Sequence, residues 1–147
     1  MIGPESRATE ITDILFRDID VIHALSVEVI AIFSGDRAPI SRVRYENIRI
    51  EDPRCMGLIG IRVGPTYVTA DPEFGPVRDV LYQNIDVTMP SPVHSALCGD
   101  RAAISGVTFR NVRINGRAMA GADEMRLHTR GEVADVRFAS DRGRNLP

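Results

Sequence analysis

The chain has 147 residues, 18 basic against 20 acidic for a net charge of −2, two cysteines, no tryptophan and 44% hydrophobic content. That is one domain's length with enough apolar residues for a core, and it excludes a disordered chain, a disulfide scaffold and a basic nucleic-acid module. No apolar run is long enough for a membrane helix, and Met1-Ile2-Gly3-Pro4-Glu5-Ser6-Arg7 has no apolar stretch of the signal-peptide kind.

In chain order, one pattern recurs. It runs Ile11–Val21, Ile40–Ile50, Val77–Val87 and Ile104–Ile114, with a broken fifth copy at Val133–Ser140. The consensus is aliphatic-x-x-aliphatic-x-aromatic-x-Asn/Asp-aliphatic-x-aliphatic, and successive copies start 29, 37, 27 and 29 residues apart. A period of this size marks a solenoid. Val43, Tyr45 and Asn47 alternate as strand residues do, but Ile48 and Ile50 have switched parity. The chain must therefore turn a corner at Asn47, where Asn or Asp tolerates the left-handed conformation. Apolar spacing of two rather than 3.6 excludes a helix.

Each period carries a second β-like run: Val27–Phe33, Ile59–Val63, Val93–Leu97 and Met125–His128. Gly35, Gly64 and Gly99 end three of these runs, where positive φ is cheap. The fold expected is all-β, a right-handed parallel β-helix of four to five coils. It forms a single domain over 1–147, with coils over roughly 11–140 and frayed ends at 1–10 and 141–147. Phe16, Tyr45, Tyr82, Phe109 and Phe138 should stack as an interior aromatic ladder. Asp18, Asn47, Asn84 and Asn111 should stack as a hydrogen-bonded corner ladder. Pro65–Pro76, with three prolines and no apolar period, reads as a protruding loop. A consensus unit begins almost at once, with no amphipathic helix to cap it. That points to a segment of a longer β-helix, with end-to-end self-association through its uncapped coils.

Aligning the second runs on Phe33, Val63, Leu97 and Leu127 turns Ile32, Arg62, Ala96 and Arg126 outward, with His128 just after and His94 further back. Arg62, His94, Arg126 and His128 are the candidate substrate-binding residues, since a polar face with a guanidinium fork suits a sugar carboxylate. The plain alternative is a solvated strand face. Gly35-Asp36-Arg37-Ala38 recurs as Gly99-Asp100-Arg101-Ala102; a repeated Asx turn explains it more simply than a general acid at Asp100. Cys55 and Cys98 read as small semi-buried residues, or as a disulfide if they stack. No spacing of His, Cys or carboxylates resembles a metal motif, and no cofactor is expected.

The repeated coils resemble the pectin-lyase-like superfamily, and within it the C-terminal coils of family 28 glycoside hydrolases, the polygalacturonases and their relatives. Those inverting hydrolases carry N-T-D, D-D and G-H-G motifs and an R-I-K strand. Gly60-Ile61-Arg62-Val63-Gly64 is similar to the last around its Arg, with Gly64 in place of Lys, and the other three motifs are absent. The resemblance implies a C-terminal segment of a polysaccharide-active glycoside hydrolase without a complete active site of its own. Its partner would be a polysaccharide or oligosaccharide containing uronate, with neither nucleic acid nor membrane involved. Full-length relatives are expected to be exported. Two alternatives are a non-catalytic carbohydrate-binding β-helix and a fragment of a polysaccharide lyase.

Overall fold

A computed structural model describes residues 1–3, 5–65 and 72–139. Its strands are β1 (Ile11–Val21), β2 (Ala24–Ser34), β3 (Ile40–Glu51), β4 (Pro53–Val63), β5 (Val77–Thr88), β6 (His94–Ile114), β7 (Arg117–Ala118) and β8 (Leu127–Ala139). The consensus units pair in parallel as β1 with β3, β3 with β5, β5 with the second half of β6, and that half with the second half of β8. The other runs stack likewise, β2 on β4, β4 on the first half of β6, and that on the start of β8. The result is a parallel β-solenoid of about four turns.

The aromatic ladder is present. Phe16, Tyr45, Tyr82, Phe109 and Phe138 follow one another with ring centroids 4.8, 5.1, 5.0 and 5.1 Å apart, the separation that hydrogen-bonded neighbouring strands impose. Tyr45, Tyr82 and Phe109 are fully enclosed with Ile32, Ile61, Ile85, Leu97 and Ile104. Phe16 and Phe138, which end the ladder, stay partly exposed.

The corner ladder is present too. Asp18, Asn47, Asn84 and Asn111 have φ of 57°, 54°, 54° and 51°. Asn47 Nδ2 donates to Asp18 at 2.9 Å, Asn84 to Asn47 at 2.9 Å and Asn111 to Asn84 at 2.8 Å. A second left-handed corner falls five residues earlier in the consensus, at Asp13, Arg42, Asp79, Gly106 and Asp135, with φ between 53° and 67°. It sits at a consensus position of no fixed residue type, so the repeat does not announce it. Arg42 clamps Asp13 with bonds of 2.7 and 2.8 Å, holding the Asp13 carboxyl below the usual carboxylate range. On the outer face Asp20, Arg49, Asp86 and Arg113 form a column of alternating charge. Arg49 bonds Asp20 at 3.1 and 3.0 Å and lowers its pKa in the same way.

Several details differ from the sequence reading. The second runs pair in another register: Phe33 pairs with Arg62 rather than Val63, Leu97 with Ile61 and Thr129 rather than with Val63 and Leu127, and Ile32 with Ile61, so Ile32 is inward and Phe33 outward. Both are large and apolar, and alternation alone cannot choose between them when a guanidinium can cover the outer ring. Gly64 and Gly99 do not adopt positive φ. Gly99 is needed instead for close approach, because a Cβ there would lie 2.4 Å from the Glu132 carbonyl of the next coil. Met125 and Arg126 belong to a turn, and the strand begins at Leu127. Asn115-Gly116, with φ of 50° and 74°, closes a short hairpin between β6 and β7; this Asn-Gly signal of a type I′ turn was legible and was missed. Cys55 and Cys98 are free thiols. The middle of the 65–76 loop, residues 66–71, and the tail from 140 onward lie outside the described residues.

Candidate functional site

Because equivalent positions stack, the outward column of the second runs reads Phe33, Arg62, Cys98, Arg130 across four coils. This column floors a groove of about 720 Å³, flanked by Asp100, Arg101, Val27, Val63, Gly64, Pro65 and Met1, within the size range of small-ligand sites.

Arg62 is the most constrained side chain there. Its Nε donates to Glu28 Oε1 at 3.0 Å and its Nη2 to the same oxygen. The guanidinium carbon lies 5.9 Å from the centre of the Phe33 ring, within cation–π range. Glu28 reaches it by lying across two glycines: a Cβ at Gly60 would sit 2.8 Å from Glu28 Cγ, and one at Gly57 3.1 Å from it. The Glu28 side chain is only 3% exposed, and its Oε2 has no hydrogen-bond partner among the described residues. Arg62 is thus fixed on one edge by a buried carboxylate and on one face by a ring, while its Nη1 has no partner among the described residues. Glu28 also acts on Cys55, whose thiol is pushed up first by burial and then by the nearby negative charge.

At the other end of the column Arg130 donates to both Asp100 oxygens, from Nε at 2.9 and 3.0 Å and from Nη2. That pairing, with a lesser contribution from Cys98, raises the Arg130 pKa. Arg101 is exposed, packs near Gly64 and has no ion-pair partner among the described residues. The two Gly-Asp-Arg-Ala copies therefore differ. Asp36 accepts from the adjacent Arg37 backbone N–H at 2.7 Å, a contact within its own coil, whereas Asp100 reaches the next coil.

Of the four residues singled out by sequence, Arg62 alone is among the groove's described lining. His94 and His128 meet elsewhere on the same outer surface, Nδ1 to Nε2 at 3.0 Å. Arg126 turns away, its φ at 48° and its Nη1 3.4 Å from the Pro92 carbonyl oxygen. Sequence reasoning missed Phe33, Cys98 and Arg130. Placing all three in one column with Arg62 takes a different offset on each strand, one residue at Phe33, two at Cys98 and four at Arg130.

Compared with protein-family models, with curated proteins and with solved structures, the chain matches none.

Proposed function

We propose that this chain is a glycan-binding β-helix whose outer groove takes a carboxylated sugar, built on the pectin-lyase-like plan and akin to the C-terminal coils of family 28 glycoside hydrolases. The observation that carries this reading is the clamped Arg62. A guanidinium already ordered by Glu28 and Phe33 loses little freedom when its remaining donors meet a carboxylate. Arg101 adds positive charge along the same groove, where Arg130 is paired with Asp100. The coil spacing offers such contacts at a step close to the length of one pyranose unit, and Phe33 offers an apolar edge for a sugar ring.

Binding without hydrolysis is the expected behaviour. Glu28 and Asp100, the carboxylates that order this groove, are each held by an arginine. Inverting hydrolysis instead needs one protonated and one ionised carboxyl with room for water between them. The test is titration with oligogalacturonate and, in parallel, with a neutral oligosaccharide, followed by backbone amide shifts. Acidic ligand should perturb Phe33, Arg62, Cys98 and Arg130, and Arg62→Gln should weaken binding at least tenfold. Arg62→Lys should be little better, since an ammonium cannot hold Glu28 and the sugar by two planar edges. Equal response to acidic and neutral chains, or shifts away from this column, would overturn the proposal.

A further inference from the structure

We propose that His94 and His128 form a two-imidazole site for a divalent late transition-metal ion that accepts right-angle coordination, Ni(II) or Cu(II) in preference to Zn(II). The site is separate from the groove and does not rest on the glycan reading. His94 opens β6 and His128 is the second residue of β8. Register pairs Ser95 with Leu127 and Ala96 with His128, so the two histidines are diagonal neighbours on successive coils. Both are exposed, with ring centroids 4.9 Å apart and planes tilted by 52°.

The 3.0 Å between His94 Nδ1 and His128 Nε2 is a hydrogen-bond distance, filled by one proton when both rings are neutral. It is also the base of a coordination triangle. With metal–nitrogen bonds of 2.0–2.1 Å, a 3.0 Å separation corresponds to an angle of about 95° at the metal. That is the cis angle of tetragonal or octahedral Ni(II) and Cu(II). A tetrahedral zinc angle would require the nitrogens about 3.4 Å apart. In separation the pair therefore already suits the former, with the two rings turned toward a common apex, whereas the latter also needs the nitrogens moved apart. Of the flanking arginines, Arg130 has its charge offset by Asp100, and Arg126 is directed to the Pro92 carbonyl. No third His, Cys, Asp or Glu among the described residues joins the pair, so water completes the coordination.

Nickel chloride titrated into the full chain should bind one equivalent, roughly fivefold tighter than zinc chloride, as geometry and the Irving–Williams order both favour. Nickel is the probe because the free thiols do not reduce it. Paramagnetic broadening should centre on His94, Ala96, Leu127 and His128. Either His94→Gln or His128→Gln should weaken binding at least tenfold with an unchanged melting temperature, because both side chains are exposed, and His23→Gln should have no effect. Undiminished binding in the His94 or His128 variants, broadening centred on His23 or a cysteine, or tighter binding of zinc than nickel would overturn the proposal.

Discussion

Tyr82 sits at the middle of the aromatic ladder with no exposed surface, its ring parallel to Tyr45 and Phe109 within 5° and 8°. Its hydroxyl, unlike that of Tyr45, which lies 3.5 Å from the Ala31 carbonyl oxygen, has no hydrogen-bond partner among the described residues. Two substitutions separate the ring from the hydroxyl. Tyr82→Ala removes the ring, leaves its two neighbours about 10 Å apart and opens a void no side chain can collapse into; the expected loss is about 3–5 kcal/mol. Tyr82→Phe removes only the unpaired oxygen. A buried polar group without a partner costs about 1–3 kcal/mol. The void left by one oxygen, on the order of 10 Å³, costs only about 0.2 kcal/mol at roughly 24 cal/mol per Å³. Tyr82→Phe should therefore be stabilising by about 1 kcal/mol or more. Urea unfolding of the three proteins, compared at equal m-values, measures both differences. A Tyr82→Phe protein less stable than the parent by 1 kcal/mol would refute the reasoning, since it would reveal a partner for the hydroxyl.

The buried tyrosines also set an alkaline limit. Burial raises the pKa of both Tyr45 and Tyr82 above that of a free phenol, so their contribution is whole below about pH 10 and is lost as pH rises, by about 1.4 kcal/mol per pH unit for each. Tyr45→Phe combined with Tyr82→Phe should flatten that decline in unfolding measured between pH 10 and 11.5. Asn84 holds a left-handed φ of 54° while bonding both Asn47 and Asn111. Asn84→Ala should lose about 2–3 kcal/mol, combining the left-handed cost and the lost bonds, and Asn84→Gly should lose less because it loses the same bonds without the left-handed cost. Gly60→Ala would drive a Cβ to 2.8 Å from Glu28 Cγ; it should expel that carboxylate, free Arg62 and weaken oligogalacturonate binding about tenfold, read by the same titration that tests Arg62.

The repeat made the fold legible because a solenoid writes each contact several times. One aromatic in an alternating segment is ambiguous, but Phe16, Tyr45, Tyr82, Phe109 and Phe138 at the same place in five copies define a stack. The parity switch after Asn47 located one corner for the same reason. The other corner, at Asp13, Arg42, Asp79, Gly106 and Asp135, escaped because backbone conformation rather than side-chain type recurs there. The candidate groove was harder to read. Its strands begin at different offsets, Ile32 and Phe33 are interchangeable by hydrophobicity, and the Glu28–Arg62 pair joins residues 34 apart across two glycines. Nothing local in the sequence marks Glu28 as buried. Arg62 was legible because it lies between two inward aliphatics, Ile61 and Val63.

The column Asp20, Arg49, Asp86, Arg113 has a further consequence for how such a chain can grow. The aromatic ladder is indifferent to the number of coils, since any ring stacks on any other. The charged column is not, because its sign changes at every coil. Excising the coil that carries Arg49 would set Asp20 against Asp86, while excising the Arg49 and Asp86 coils together would bring Asp20 back against an arginine. Gene segments encoding two coils could be duplicated or lost without electrostatic penalty on this face, whereas single-coil events would need a compensating charge reversal. The electrostatic repeat of this face is thus a pair of turns, twice the period that the hydrophobic pattern displays.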